Sequence, residues 1–534
     1  MELDLSSLPY SSVRQPLFAP RGAVATSHPL AAQAGLDALQ RGGNAVDAAI
    51  ATGAALTVLE PTSNGIGGDA FALVWDGAQL HGLNGSGRAP TALTPELLAR
   101  HGHTEMPTRG WLSVTVPGAP AAWRDLHHRF GQLRFTSLFE PAIFYAEHGY
   151  PVAPVTAKYW QRAAQAYRTN TASEFRGWSE TFTPNGHAPQ AGEIWRSKGH
   201  SRTLTSIAES RADDFYKGDL AQAIVRWAEQ TGGMLRAGDL AQHQSTWEAP
   251  IRTTYRGYDV WEIPPNGQGL AALIGLNILE GFELDRTVSA GQYHQQIEAI
   301  KLAFADAHRY IADPSYVDVP TQALLSKDYA AQRRRLIGEQ AIDAEPGEPL
   351  RGGTVYLCTA DSDGMMVSMI QSNYMGFGSG IVVPGTGIAL QNRGAGFRLD
   401  PEHLNHLAPG KRPFHTIIPG FLSKNNQAIG PFGVMGGHMQ PQGHLQMIVN
   451  TVDYGLNPQA SLDAPRWYWD EGRRVLVEPH MPPELVDALR ERGHAVEVSE
   501  DLGWFGRGQI IWRLPSGAYV AGSDGRTDGN AVGY

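Results

Sequence analysis

Gly352, Gly353 and Thr354 stand together two-thirds of the way along a chain of 534 residues, opening the stretch GGTVYLCTADSDGMMVSMIQSNYMGFGSG. A threonine hydroxyl is a weak nucleophile until a base removes its proton, and a free α-amino group on the same residue is such a base. The intrinsic pKa of that amine, about 7.7–8.0, lies close to neutral pH, so no histidine is needed. Inside an intact chain Thr354 has no free amine, and the scheme therefore requires the Gly353–Thr354 bond to be cut. Two glycines allow the backbone to bend into conformations closed to other residues and leave the Gly353 carbonyl open to the Thr354 hydroxyl. Attack there forms an ester that water hydrolyses, releasing a new N-terminus at Thr354. The plainer reading of the same residues is a turn followed by a β-branched strand residue.

Neighbouring motifs suit the chemical reading. Ser372 follows Thr354 by 18 residues on a facing strand, where its hydroxyl could orient the nucleophile or relay its proton. From Asn373, NYMGFGSG is a glycine-rich loop able to bring backbone close to a ligand. From Gly433, GVMGGHMQPQG supplies Gly436 and Gly437, whose N–H groups could form an oxyanion hole. Each of these is also readable as an ordinary turn.

Other chemistries lack support. GIGGDA, from Gly65, fits a relaxed dinucleotide pattern, but a helix-like run precedes it and the strand-like FALVW follows, the reverse of what that site needs. A close-packed glycine turn is the alternative. His438 and His444 are six apart, which suits neither helical nor alternating-strand metal ligation. There is no P-loop, HExxH or G-x-S-x-G. The single cysteine, Cys358, excludes an internal disulfide and a cysteine-based zinc site. Neither a metal nor a cofactor is expected.

Composition sets the frame for the elements. With 42% hydrophobic and 18% charged residues the chain has material for a large core and too little charge for disorder. A net charge of −10 without any basic block argues against nucleic acid. The acidic N-terminus lacks the apolar stretch of a secretory signal, and no segment offers about 20 apolar residues for a membrane span. A cytoplasmic location without membrane contact is expected.

Ser27, Pro29 and Gly42 predict the cap, first turn and stop of a helix, and Asn44 predicts the cap of a second, nearly all-apolar one. FALVW and GAQLHGL predict a hairpin around Asp76-Gly77. Residues 110–250 read as mostly helical, and 293–311 as an amphipathic helix through Ile297, Ile300 and Phe304. An acidic, proline-marked segment, 336–353, leads into Thr354. Beyond it TVYLCTAD and MMVSMIQS predict a second hairpin, turning at Asp361–Gly364. No internal repeat occurs at a fixed period.

GRAP at 87–90, GGT at 352–354, SNYMGFGSGI from Ser372, PGTGI from Pro384, KRPFHT from Lys411, MGGHMQPQG from Met435 and LDAPRW from Leu462 resemble the γ-glutamyltransferase (glutathione hydrolase) family of N-terminal nucleophile enzymes. RGGNAVDAAIA and EPTSNGIGGDAFAL resemble its N-terminal signature, so the likeness covers nearly the whole chain. The resemblance implies a four-layer αββα sandwich of the α/β (α+β) class. It also implies a precursor that cuts itself into a large chain, 1–353, and a small chain, 354–534, which remain one unit. Thr354 would carry the acyl group and Ser372 would stand where the family keeps a second threonine. Gly436 and Gly437 would match the oxyanion pair, with Asn373 and Tyr374 lining the substrate site. A small-molecule amide would be the donor and water or an amino compound the acceptor.

Departures from the family pattern concern the pocket. The family's acidic loop Asn-x-Glu-x-x-Asp, which holds the γ-glutamyl ammonium, is QNRGAGF here, with Arg393 at the glutamate position and Gly396 at the aspartate position. The serine pair after the KRP motif is His415-Thr416, and the carboxylate-clamping arginine is matched only by a short shift, to Arg88. A cation where the family has an anion repels an ammonium. This resembles the acylase-like branch, with cephalosporin or glutaryl acylases and small-amide hydrolases of the oxamate type. An acyl group with a carboxylate and no ammonium would suit Arg88 and Arg393, although Arg393 also reads as a solvated or ion-paired loop residue. Two further readings are a non-catalytic binding protein on the same scaffold and a nucleotide-dependent oxidoreductase resting on GIGGDA.

Overall fold

Alternation along the strands builds the architecture of the computed structural model, which describes residues 14–343 and 353–534. In the strand Gly353–Ala360, Val355 and Leu357 enter a core shared with helices, whereas Tyr356 and Cys358 enter a core between two sheets. Successive side chains of a strand point to opposite faces, so a strand buried on both sides must lie inside a layered stack. Residues 344–352, the second half of the acidic segment together with Gly352, lie outside the described residues, as does the acidic N-terminus.

Each of the two stacked sheets has seven strands, and two smaller sheets of three and two strands lie outside them. One runs in the order Asn530–Gly533, Ala23–Thr26, Gly353–Ala360, Met366–Tyr374, Asp69–Trp75, Leu80–Asn84, Thr246–Glu248. The other places Gln427–Met435 centrally, between Arg507–Arg513 and Gly420–Lys424. Phe71, Tyr356, Ile370, Phe421, Met435 and Ile511 fill the space between the sheets. Outside the first sheet lies Ala45–Leu59, and outside the second lie Gly269–Leu279, Ala290–Tyr310 and Met439–Val452. The order is helix, sheet, sheet, helix, the expected αββα sandwich.

Local signals account for several element ends. Asn44 caps Ala45–Leu59 through a reciprocal box with Asp47, and all fifteen residues of that helix are buried. Its small side chains permit close approach to Pro29–Gln40, where a Cβ added at Gly35 would lie 2.3 Å from Thr52 Oγ1. That neighbouring helix is capped by His28, whose Nδ1 accepts from the Leu30 N–H, rather than by Ser27. Ser27 instead donates to Glu60 Oε2, because the buried carboxylate needs a donor more than the helix end does. Both hairpins form, Asp69–Trp75 with Leu80–Asn84 and Gly353–Ala360 with Met366–Tyr374. The amphipathic helix spans Ala290–Tyr310, capped by Ser289 and Gln292. Among the described residues no helix is long and apolar enough to cross a membrane.

A buried charge cluster ties the C-terminal segment down. Asp524 accepts from Arg466 Nη2 at 2.7 Å, from Arg526 Nη1 at 3.1 Å and from the Gly508 N–H at 2.8 Å. Burial alone would raise its pKa, but Arg466 and Arg526 more than reverse that and hold it at about 2. A folded value below the unfolded one contributes stability above about pH 4 that disappears as pH falls through about 2. The expected loss across that window is about 2–3 kcal/mol. Denaturant titrations at pH 4 and pH 2 should show it in the wild type and not in Asp524→Asn.

Candidate active site

A β-bulge sits at the nucleophile candidate. The two strands of the hairpin pair Gly353 with Tyr374 and Val355 with Gln371, so the register shifts by one residue at Thr354. Bulges re-aim side chains next to functional sites. Here the shift leaves Thr354 and Ser372 on the same face, buried, with their hydroxyl oxygens 3.1 Å apart.

Proton counting orders the cluster. Ser372 has one hydroxyl proton, and its Oγ lies 2.7 Å from the Gly353 carbonyl oxygen, which can only accept. The Thr354–Ser372 bond is then donated by Thr354, and the Tyr374 N–H donates to Ser372 Oγ at 2.8 Å. Arg393 Nη2 adds a longer contact to the same oxygen, 3.3 Å, while Arg393 Nη1 donates to Thr416 Oγ1 at 2.7 Å. Arg393 thus links Thr416 to Ser372, which accepts from Thr354 and donates to the Gly353 carbonyl.

Arg393 is fully buried, so it is not a solvated loop residue, and among the described residues no carboxylate pairs with it. Its guanidinium lies 4.1 Å from the Tyr374 ring centroid and its Nε has no acceptor. Burial pushes its pKa down to about 10, with Tyr374 and Asp69 pulling the other way, and it stays charged at neutral pH. Tyr374 has φ 78°, a left-handed backbone that is costly for a bulky residue and is stored where surrounding structure dictates it. Burial raises its phenol to about 12.

Asp69, passed over in the sequence, is the anion of the site. Its Oδ1 accepts from the N–H groups of Gly87 and Gly118 and from Gln391 Nε2, and its Oδ2 from His415 Nε2 at 3.1 Å. Burial raises its pKa to about 6 against the pull of Arg393 and these donors. His415 is held well below the ordinary histidine range by burial and by the charges of Arg393 and Arg412. With Nε2–H on Asp69 and Nδ1 accepting from the Ile417 N–H, it is a neutral tautomer that braces the loop.

Gly436 and Gly437 follow the strand Gln427–Met435, at the same end of the inter-sheet layer as Thr354, with φ of 130° and 61°. Only glycine adopts the first readily. Among the described residues neither N–H donates a hydrogen bond. Gly353 and Gly436 line one cavity of about 420 Å³. Tyr374 and Gly396 line another, of about 270 Å³, with His308, His438 and Phe414.

Two expected substrate residues lie elsewhere. Arg88 is paired with Asp313 at 3.3 Å and with the Gly410 carbonyl, and it lines neither of these cavities. Asn373 alternates to the face opposite Ser372. There its amide, without a partner, lies against the glycine turn, 2.8 Å from a Cβ built on Gly65 and 2.7 Å from one on Gly68. The turn itself is close-packed backbone: a Cβ at Gly67 would lie 2.3 Å from the Ala389 carbonyl oxygen, and the Gly67 carbonyl accepts from the Gln391 N–H. The strand follows the glycines directly, so the dinucleotide reading of GIGGDA fails on topology. His444 is taken by Glu262 at 2.6 Å and His438 faces His308 and Phe414, so the pair does not converge.

The chain is similar over nearly its whole length to several known proteins. A crystal structure of cephalosporin acylase from Bacillus halodurans is 57% identical, with a TM-score of 0.97 over 100% of this chain and 99% of that one. The glutathione hydrolase-like YwrD proenzyme of Bacillus subtilis (strain 168) is 37% identical over 96% of this chain and 98% of its own length. The oxamate amidohydrolase proenzyme of Klebsiella pneumoniae subsp. pneumoniae is 35% identical over the same shares. The family model described as gamma-glutamyltranspeptidase matches residues 31–534, and the chain belongs to that family of enzymes.

Proposed function

We propose that this protein is a self-processing amidohydrolase or acyltransferase whose nucleophile is Thr354. The observation that carries the reading is the Ser372 hydroxyl, which bonds the Gly353 carbonyl at 2.7 Å and the Thr354 hydroxyl at 3.1 Å. In the uncut chain Thr354 Oγ1 attacks the Gly353 carbonyl carbon while Ser372 polarises that carbonyl. The C–N bond breaks, the hydroxyl proton passes to the departing Thr354 nitrogen, and an ester remains. Water hydrolyses the ester, giving chains of 353 and 181 residues and a free α-amine on Thr354.

That amine then serves as base. It accepts the Thr354 hydroxyl proton as Oγ1 attacks a substrate amide, and hands it to the leaving amine. The Gly436 and Gly437 N–H groups are free to bind the developing oxyanion. Water, or an amino compound, takes the acyl group in the second half of the cycle.

Glutathione hydrolase, oxamate amidohydrolase and cephalosporin acylase among the similar proteins all fit amide cleavage. The acylase-type donor is favoured over a γ-glutamyl one, because the buried cation Arg393 occupies the loop where an ammonium would need an anion. Intact-mass analysis of purified protein tests the proposal: a 181-residue fragment with Thr354 at its N-terminus is expected. Active protein consisting only of uncut chain would overturn it.

A further inference from the structure

One buried side chain joins two halves of the site. Gln268 is fully buried, and its Nε2 donates to the Thr416 carbonyl at 2.6 Å and to the Gly437 carbonyl at 2.9 Å. Both acceptors are carbonyls, so the amide cannot be turned over, and its Oε1 is left without a donor among the described residues. A buried acceptor left unsatisfied is uncommon and calls for a reason. The two bonds of Nε2 supply one. Thr416 receives Arg393 Nη1 on its hydroxyl and Gln268 on its carbonyl, so Gln268 ties the loop that carries Arg393 to the glycine pair.

Gln268 is itself held. Its N–H donates to the His415 carbonyl at 2.9 Å, and the His415 N–H donates to the Asn266 carbonyl at 2.9 Å. The Asn266 amide in turn donates to the Pro413 carbonyl at 2.8 Å and accepts from Asn84 Nδ2 at 2.9 Å. On its other side the helix Gly269–Leu279 begins directly after Gln268.

The consequence falls on Gly437. In a trans peptide the carbonyl and the following N–H point in opposite directions. The Met439 N–H holds the Gly436 carbonyl at 3.0 Å and so aims the Gly437 N–H. Gln268 Nε2, with the Gln440 N–H at 3.2 Å, holds the Gly437 carbonyl in the next peptide. Gly437 has φ 61° and no side chain to restrict its rotation, so only these two pinned peptides lock it. Its N–H, which donates to no described group, is then aimed before any charge develops. From this geometry we infer that Gln268 is a positioning residue that holds the glycine pair in its oxyanion-binding orientation during turnover. In the uncut chain the Gly353 carbonyl accepts from the Ser372 hydroxyl, so self-cleavage draws on a different donor. The inference rests on the proposed roles of Thr354 and of Gly436 and Gly437, and adds the group that preorganises them.

Gln268→Met keeps the length of the side chain and donates nothing. It is expected to release the 181-residue fragment at the wild-type rate but to show kcat lowered about 10- to 100-fold, with KM within about twofold of wild type. The donor is whichever of γ-glutamyl, glutaryl and butyryl p-nitroanilide the wild type hydrolyses fastest. Butylboronic acid supplies a readout that a merely structural role leaves unmoved. The Thr354 oxygen adds to boron, its proton passes to the α-amine, and the tetrahedral boronate carries the negative charge. Its inhibition constant should rise by the factor by which kcat/KM falls, while that of butyrate stays unchanged. An unchanged boronate constant in Gln268→Met would overturn the assignment. Gln268→Ala repeats the measurements if the methionine variant does not self-cleave, and failure of both to do so also overturns it, because the side chain would then serve the precursor. Wild type that binds the boronate no better than butyrate would defeat the glycine pair itself. Absence of the fragment from active wild type would instead defeat the role of Thr354.

Discussion

Thr354→Ala is expected to leave the chain as one piece of 534 residues and to lower amide hydrolysis by about 10⁴-fold or more. Both losses have one cause. The hydroxyl that attacks the Gly353 carbonyl in the precursor is the hydroxyl that would carry the acyl group in the mature protein, and its base exists only once the first attack has succeeded. Alanine keeps the strand and the bulge but loses the buried γ-methyl together with the hydroxyl, so the variant should fold with a slightly lowered melting temperature. Thr354→Ser retains the hydroxyl and should still cleave, more slowly, because the lost methyl frees the χ1 rotation that a β-branched residue restricts. A denaturing gel and intact-mass analysis read the cleavage, and release of p-nitroaniline reads the turnover. A cut or active Thr354→Ala protein would remove the nucleophile from contention.

The second large effect is expected from Arg393→Met. A methionine fills much of the volume but donates nothing to Ser372 Oγ or Thr416 Oγ1, which now receive bonds of 3.3 and 2.7 Å from the guanidinium. Ser372 then loses its fixed orientation, and self-cleavage should slow by about 10²- to 10³-fold, the scale seen when a reacting geometry is loosened. A positioning role alone would stop there. The guanidinium is also a charge, in contact with the hydroxyl that touches Thr354, and a nearby cation disfavours an ammonium. In a matured chain it would therefore disfavour the ammonium form of the Thr354 α-amine and keep more of it neutral, able to act as base. With the cation removed, the ammonium persists to higher pH, and the acid limb of the kcat/KM profile of matured Arg393→Met should move up by about one pH unit. Arg393→Lys keeps the charge and should keep the limb, while recovering only part of the cleavage rate. An unmoved limb in Arg393→Met would reduce the residue to a structural brace.

Particular elements show where sequence patterns sufficed. The cap at Asn44 and the turn at Asp361–Gly364 are local chemistry, read within four residues, and they form as expected, whereas the amphipathic helix starts at Ala290, three residues before the expected Tyr293. TVYLCTAD and MMVSMIQS likewise pair as the expected hairpin. Ser27 misled because its competing partner, Glu60, is 33 residues away and no local pattern records it. Arg393 was readable as a change of charge sign in a loop, yet its burial was not, since that depends on Tyr374, Thr416 and Ser372 closing around it. Asp69 stood inside the family-like stretch EPTSNGIGGDAFAL, yet nothing local marked it as the buried carboxylate that meets His415, Gln391 and two glycine N–H groups.

By itself the sequence determined the family, the sheet-forming segments and the threonine whose hydroxyl and amine could serve as nucleophile and base, because those are properties of single residues and short patterns. The tertiary structure alone decided which charges meet. It placed Arg88 on Asp313, withdrew Asn373 to the far face and closed Arg393 behind Ser372. Coulomb and hydrogen-bond energies depend on separations of a few ångströms between residues hundreds of positions apart, and only the packed sheets fix those distances.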